Sequence, residues 1–259
     1  MLFRSFSGGR VIEFNGSTTW SQITSFQGNI RAGDGSRIVN NGGFIDANGG
    51  TNSIGNFHAG VGTVFDNVGS YTKTGAGSTT IGVTFNNTGT VQVDAGTLTL
   101  SGDFPNFAGT TLTGGRYRVT DAGTLRFTGA NVVTNAAIIE LGGPGSRLLN
   151  SSNGADALAG FAVNAPGAAF SISNGRNFPS AGAFDNGGLV AVGSGSTFTA
   201  GGTFTNSGDA VVEMAGGTLV APSFVNAAGT LQGFGTVAAP LDHGGAVFAR
   251  GGTLSFAAA

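Results

Sequence analysis

The sequence predicts an all-β chain wound as a parallel β-helix, a β-solenoid with coils of roughly 20 residues. Three observations carry this. Phenylalanines and asparagines recur at a spacing of 20, apolar and polar residues alternate in very short runs, and glycine punctuates those runs, 49 times in 259 residues. Only 9% of the chain is charged, against about 25% in an ordinary soluble domain. Yet 40% is hydrophobic and 21 residues are Phe, an apolar content that disordered chains lack. The absence of a strict Gly-X-Y period excludes a collagen triple helix.

The repeat is clearest in the C-terminal third. Phe184, Phe204 and Phe224 are 20 apart, and Asn186, Asn206 and Asn226 keep the same period two residues behind. Gly188 and Gly208 follow, with Gly229 displaced by one. Upstream, Phe65 and Phe85, Asn67 and Asn87, and Gly69 and Gly89 hold the same spacing. In TFNNTGTVQVDAGTLTLSGDF (84–104), Val91 and Val93 alternate with polar neighbours, as do Leu98 and Leu100. That is the signature of strands with one buried face, here three to five residues long between Gly, Asn or Asp. Gly-Thr-apolar occurs nine times, starting at Gly62, Gly89, Gly96, Gly123, Gly202, Gly217, Gly229, Gly235 and Gly252. The expected roles are a special backbone angle for Gly, an outward Thr, and an inward apolar side chain.

No apolar stripe of helical period persists, so no helix is expected. Such short strands bury a face only when coils stack and pair with their equivalents above and below. A hairpin-built sandwich would instead show two-residue Asn-Gly or Asp-Gly turns between longer strands. Stacking at about 4.8 Å per coil lets the Phe rings lie against one another inside. The Asn residues can form an amide ladder at a corner.

The expected domain is one solenoid over 1–259, its clearest repeats at 60–104 and 183–256. Some 13 coils at about 4.8 Å would give a rod of roughly 60 Å. The segment 105–180, with Pro105, Pro144, Pro166 and Pro179, loses the spacing and suggests coils of variable length or protruding loops. The segment 1–60 is also uneven, with Phe14, Phe26, Phe44 and Phe57.

A net charge of −2 gives no electrostatic reason to expect nucleic acid or an acidic membrane as partner. With no cysteine there are no disulfides and no thiolate metal sites. No apolar run reaches the 18 or so residues of a transmembrane helix. The N-terminal stretch MLFRSFSGGRVIEFNGSTTW has no apolar core of a secretory signal. For an exported chain the expectation is then either that the signal has been removed or that this is a piece of a longer chain.

The Phe-x-Asn-x-Gly unit with Gly-Thr-Leu, ending in VNAAGTLQGFGTVAAPLDHGGAVFARGGTLSF, resembles the repeat region of bacterial autotransporter passengers and related β-solenoid surface proteins. The resemblance covers 60–104 and 183–256. It implies a secreted or cell-surface location and, for many members, adhesion. The implied partners are host or cell-surface glycans or proteins, or further copies of the chain. Two features depart from the family: AVFARGGTL stands where a Pro-Gly turn is common, and none of these 259 residues is expected to form a translocation barrel.

Catalytic patterns are thin. The acids are dispersed and mostly sit beside Gly or Asn, where Asp is an ordinary turn residue. A paired-carboxylate glycosidase site needs two acids about 5–10 Å apart. Asp103 and Asp121 are the best pair for adjacent coils to bring together. His58 in NFHAG and His243 in LDHGG are the only histidines, both in loop-like contexts. No nucleophile elbow accompanies Asp242 and His243, no ligand set has zinc spacing, and no cofactor is expected. The densest charge is GGRYRVTDAGTLRF (114–127). There Arg116 and Arg118 share a strand face, Tyr117 points the other way, and Arg126 lies on the next segment. These guanidinium groups suit an anionic sugar or carboxylate; a solvated face with Asp121 as counter-charge is the simpler reading.

The leading expectation is a non-enzymatic exported repeat protein, a stalk, passenger or adhesin-like segment. A β-helix polysaccharide lyase or hydrolase and a fibre built by end-to-end stacking are the alternatives.

Overall fold

In the computed structural model, residues 5–21 and 28–257 are described; Phe26 lies outside them. Among these residues there are twenty-seven strands and no helix. The strands stack in parallel, in-register ladders, so the fold is a parallel β-solenoid. The chain divides into two compact units. Unit 1 is Met1–Ala108, Gly114–Ala130 and Arg147–Asp156; unit 2 is Gly109–Thr113, Asn131–Ser146 and Ala157–Ala259. The division falls within 105–180, where the spacing is irregular.

Each coil of unit 1 has three sides. The first stacks Val11–Phe14, Arg37–Asn40, Val64–Asn67 and Thr84–Asn87. The second stacks Ser17–Trp20, Gly43–Asp46, Ser70–Lys73, the start of Thr90–Leu100 and the middle of Thr111–Phe127 from Arg116 onward. The third runs from Thr51–His58 through Ser78–Ile81 to the far halves of those two long strands. Alternation fixes what faces in: Phe65, Tyr71, Phe85, Val91, Val93, Leu98 and Leu100 are all buried. Coil length varies while register holds. Asn40 pairs with Asn67 and Asn67 with Asn87, so the sequence separation across one coil is 27 and across the next is 20. The uneven Phe spacing over 1–60 has another cause: Phe14 lies on the first side opposite Asn40, Phe44 on the second opposite Tyr71, and Phe57 is exposed on the third, so they share no column.

Unit 2 repeats the plan. Its first side carries Phe184, Phe204, Phe224 and Leu241 in register, and beside them Asn164, Asn186, Asn206, Asn226 and His243. Phe184 and Phe204 stack with centroids 5.4 Å apart, and Phe224 meets Phe204 edge-on at 5.2 Å. Phe198, from another side of the coil, is a third ring against Phe204 at 5.4 Å.

The asparagines are buried and linked by their amides. In unit 1, Asn40 Nδ2 donates to Asn67 Oδ1 (2.7 Å) and Asn67 Nδ2 to Asn87 Oδ1 (2.8 Å). In unit 2 the chain of donors runs Asn135, Asn164, Asn186, Asn206, Asn226, at 2.8–2.9 Å per step. Each donor's second proton goes to a backbone carbonyl of the adjacent coil, as Asn67 to Thr90 O and Asn164 to Leu189 O. Both amide protons are therefore used inside the protein, which removes most of the cost of burying the group.

Several local expectations are corrected. Strands are not confined to short runs: Thr111–Phe127 is 17 long, because pairing continues round the corner, with Gly96 opposite Gly123 and Thr97 opposite Thr124. The loop-like His58 and His243 both end strands, Thr51–His58 and Leu241–His243. Among the nine Gly-Thr-apolar units the Gly has positive φ only at Gly96 (67°) and Gly235 (136°). At Gly89 the reason is proximity, since a Cβ there would overlap the carbonyls of Val68 and Gly69 in the neighbouring coil. The Thr-out, apolar-in rule also inverts at Gly62, where Thr63 is buried and Val64 half-exposed. Gly89→Ala should cost about 1–3 kcal/mol in a denaturant melt, the range for forced overpacking. Gly49→Ala, with open space around it and no positive φ, should be near neutral.

Candidate functional site

The arginines lie on the outer surface of unit 1. Arg116 and Arg118 are set on Thr111–Phe127 facing outward, with buried Tyr117 between them. In the coil below they stand over Thr90 and Gln92, and Gln92 Nε2 donates to both Asp94 oxygens at 2.8–2.9 Å. Arg126 lies beyond the Gly123 corner, over Thr99, and is half-buried. Arg116 and Arg118 thus share a face and Arg126 belongs to the next side of the coil. The face offers two outward guanidinium groups beside hydroxyl and amide groups.

Asp103 and Asp121 are both exposed and occupy different corners. Asp121 sits where the register passes Asp94–Ala95, whereas Asp103 follows Leu100, whose partner is Phe127. Other acids serve local structure: Asp66 pairs with Arg37 at 2.5 Å and accepts from Asn86 at 2.8 Å, and Glu213 accepts from Gln232 at 2.6 Å. Ser5 Oγ lies 2.6 Å from His58 Nε2. Among the described residues no three His, Cys, Asp or Glu side chains cluster as metal ligands.

A second constellation lies inside unit 1. Lys73, the only lysine of the chain, is fully buried, as are Asp46, Asn48, Tyr71 and Thr79. Asp46 and Lys73 are register partners in adjacent coils, with Nζ 3.6 Å from Oδ2. Asp46 Oδ2 accepts from Tyr71 OH (2.9 Å) and Thr79 Oγ1 (2.5 Å). Its Oδ1 accepts from the Asn48 backbone N–H (3.1 Å) and from Asn48 Nδ2 (2.8 Å). Lys73 Nζ donates to the Asn48 carbonyl oxygen at 3.3 Å. The Asn48 side-chain oxygen has no hydrogen-bond partner. Trp20 stands next in the Asp46 column and Val93 beyond Lys73, while Phe44 stacks on Tyr71 at 5.3 Å.

Asp46 is an exception to the expectation that the acids are mostly turn residues, since it ends a strand with its carboxylate inside. The signal was present: the offset that aligns Asn67 with Asn87 also places Tyr71 over Val91 and Lys73 over Val93, on inward positions.

Burial pushes the Lys73 amine below its ordinary pKa, with Asp46 opposing that fall. Burial first, then the Asp46 charge and its hydrogen bond, push the Tyr71 phenol well above its usual value. Tyr117 is raised too, by burial, against a smaller opposing effect of Asn87. The native state thus holds both phenol protons more tightly than the unfolded chain, so this contribution is complete below about pH 10 and fades as pH rises. These are the only two tyrosines. An ultraviolet titration should show no tyrosinate near pH 10 while the fold persists, then both together on alkaline unfolding.

In unit 2, Ile138, Ala169, Leu189 and Val211 form a half-buried outward column in register. With Pro166, Gly208 and Asp209 they line a shallow groove.

No family model, curated protein or solved structure matches the chain.

Proposed function

We propose that this chain is a non-enzymatic structural segment of an exported surface protein, a stalk or adhesin-like passenger region. The single observation that carries the reading is the continuity of the stacked columns. Inside each unit, aromatic rings and asparagine amides connect coil to coil, and each coil gains its stability from its neighbours. That is the organisation of a scaffold that extends by repetition. The outward positions are mostly Thr, Ser, Asn and Gly, which suits hydrogen bonding to glycans or flat protein surfaces. Arg116 and Arg118 add a place for anionic groups.

Two experiments test it. Antibody should label the chain on intact cells that make it; labelling only after permeabilisation overturns the surface assignment. A panel of acidic and neutral polysaccharides should show no turnover. Cleavage that vanishes in Asp103→Asn or Arg118→Ala would instead establish the lyase or hydrolase alternative. Arg118→Ala should leave stability within about 0.5 kcal/mol, as expected for an exposed site, while weakening retention on an acidic-glycan column.

A further inference from the structure

The buried lysine of unit 1 has a chemistry the scaffold role does not require. A solvent-free ammonium is ordinarily rare and needs full pairing. Lys73 has three protons to place, and its one hydrogen bond goes to a backbone carbonyl, Asn48 O, at 3.3 Å. Its carboxylate, Asp46, stands at 3.6 Å and is already engaged by Tyr71, Thr79 and Asn48. Beside the amine lies an asparagine whose side-chain nitrogen bonds Asp46 and whose side-chain oxygen bonds nothing. All of these side chains are shut off from water among aromatic rings.

We propose that Lys73 and Asn48 are joined, after folding, by an intramolecular isopeptide bond that Asp46 promotes. One carboxylate touches both reacting groups. Its Oδ2 faces Nζ, and its Oδ1 holds the Asn48 nitrogen that must leave. Asp46 takes a proton from the Lys73 ammonium, leaving a neutral amine. Nζ attacks Asn48 Cγ and the Nζ–Cγ bond forms. A second Nζ proton passes to Nδ2 by way of the carboxyl group, the Cγ–Nδ2 bond breaks, and ammonia departs. The product is a secondary amide carrying one N–H, with Asp46 left as a carboxylic acid. Protons and charge balance, and no oxidant or co-reactant is used. The product also removes a buried ion pair in favour of neutral groups that Tyr71 and Thr79 already surround. Burial favours the reaction further, because it favours the neutral amine that attacks and aligns reactants held in one fold. The bond would clip successive coils in a chain without cysteine.

The test uses the full-length purified chain. Its denatured intact mass should fall short of the sequence mass by one ammonia. Lys73 being the only lysine, an amine-reactive reagent under denaturing conditions should label the α-amino group alone. Trypsin should fail to cut after Lys73 and release one 38–116 peptide carrying the ammonia loss. Asp46→Asn and Asn48→Ala should each restore the full expected mass, a labelled lysine and the cut. Circular dichroism checks that these variants fold, but the wild-type mass and label decide the matter without them. A full mass with a reactive Lys73 overturns the proposal. So does loss of a water, which would make Asp46 the acceptor. Ammonia loss with a lysine that still labels also overturns it, because a succinimide at Asn48–Gly49 would give that result.

Discussion

Phe204→Ala should destabilise the protein by about 3–5 kcal/mol in a denaturant melt, toward the upper end of that range for a buried aromatic. Phe204 is fully buried and meets three rings: Phe184 below, Phe224 above and Phe198 from another side. Truncation leaves a cavity at the centre of a stack, where neighbours cannot collapse without breaking a backbone ladder on either side. Solenoid stability is close to a sum over neighbouring repeats, so the melt should also split into two transitions. Phe256, 48% exposed, serves as the control, and its alanine variant should cost far less. A near-neutral Phe204→Ala would mean the aromatic column does not hold the coils together.

The second large effect is expected two positions away. From period alone, Asn206→Ala looks like a loss of about 1–2 kcal/mol, one bridging amide between coils. The structure raises that figure. Asn206 Nδ2 donates to Asn226 Oδ1 (2.8 Å), Thr230 O (3.2 Å) and Ala210 O (3.4 Å), while its Oδ1 accepts from Asn186 Nδ2 (2.8 Å). Alanine strands the Asn226 oxygen in a dry interior and takes an amide donor from Thr230. Each stranded buried group costs about 1–3 kcal/mol, so the variant should lose roughly 2–4 kcal/mol. Asn86→Ala, just before a ladder position but half-exposed and bonded to Asp66 at 2.8 Å, should lose less than about 1 kcal/mol. If the two asparagine variants melt alike, the ladder contributes no more than a surface amide does.

Both effects depend on columns whose period was plain in the sequence, and the reason is physical. Stacking in parallel register repeats one environment coil after coil, so each position is asked for the same residue type at each turn. Where the separation stays at 20, as from Asn186 to Asn206 to Asn226, the demand appears as a spacing. Where a corner lengthens, as in the separation of 27 from Asn40 to Asn67, the register survives but the spacing does not. The early coils were therefore hard to read although they pair as regularly as the later ones.

By itself the sequence determined the fold class, the inward and outward phases of its strands, and the residues that repeat down the interior. Alternation and period are local properties, and stacking copies them faithfully. Only the tertiary structure decided what depends on neighbours in the next coil. It placed Asp46 opposite Lys73 across one of the longer coils, and showed that Gly89 is required by the carbonyls of Val68 and Gly69 in the preceding coil and not by its own dihedral angle. Each is a contact between coils, and its sequence separation is set by corner lengths that strand periodicity does not encode.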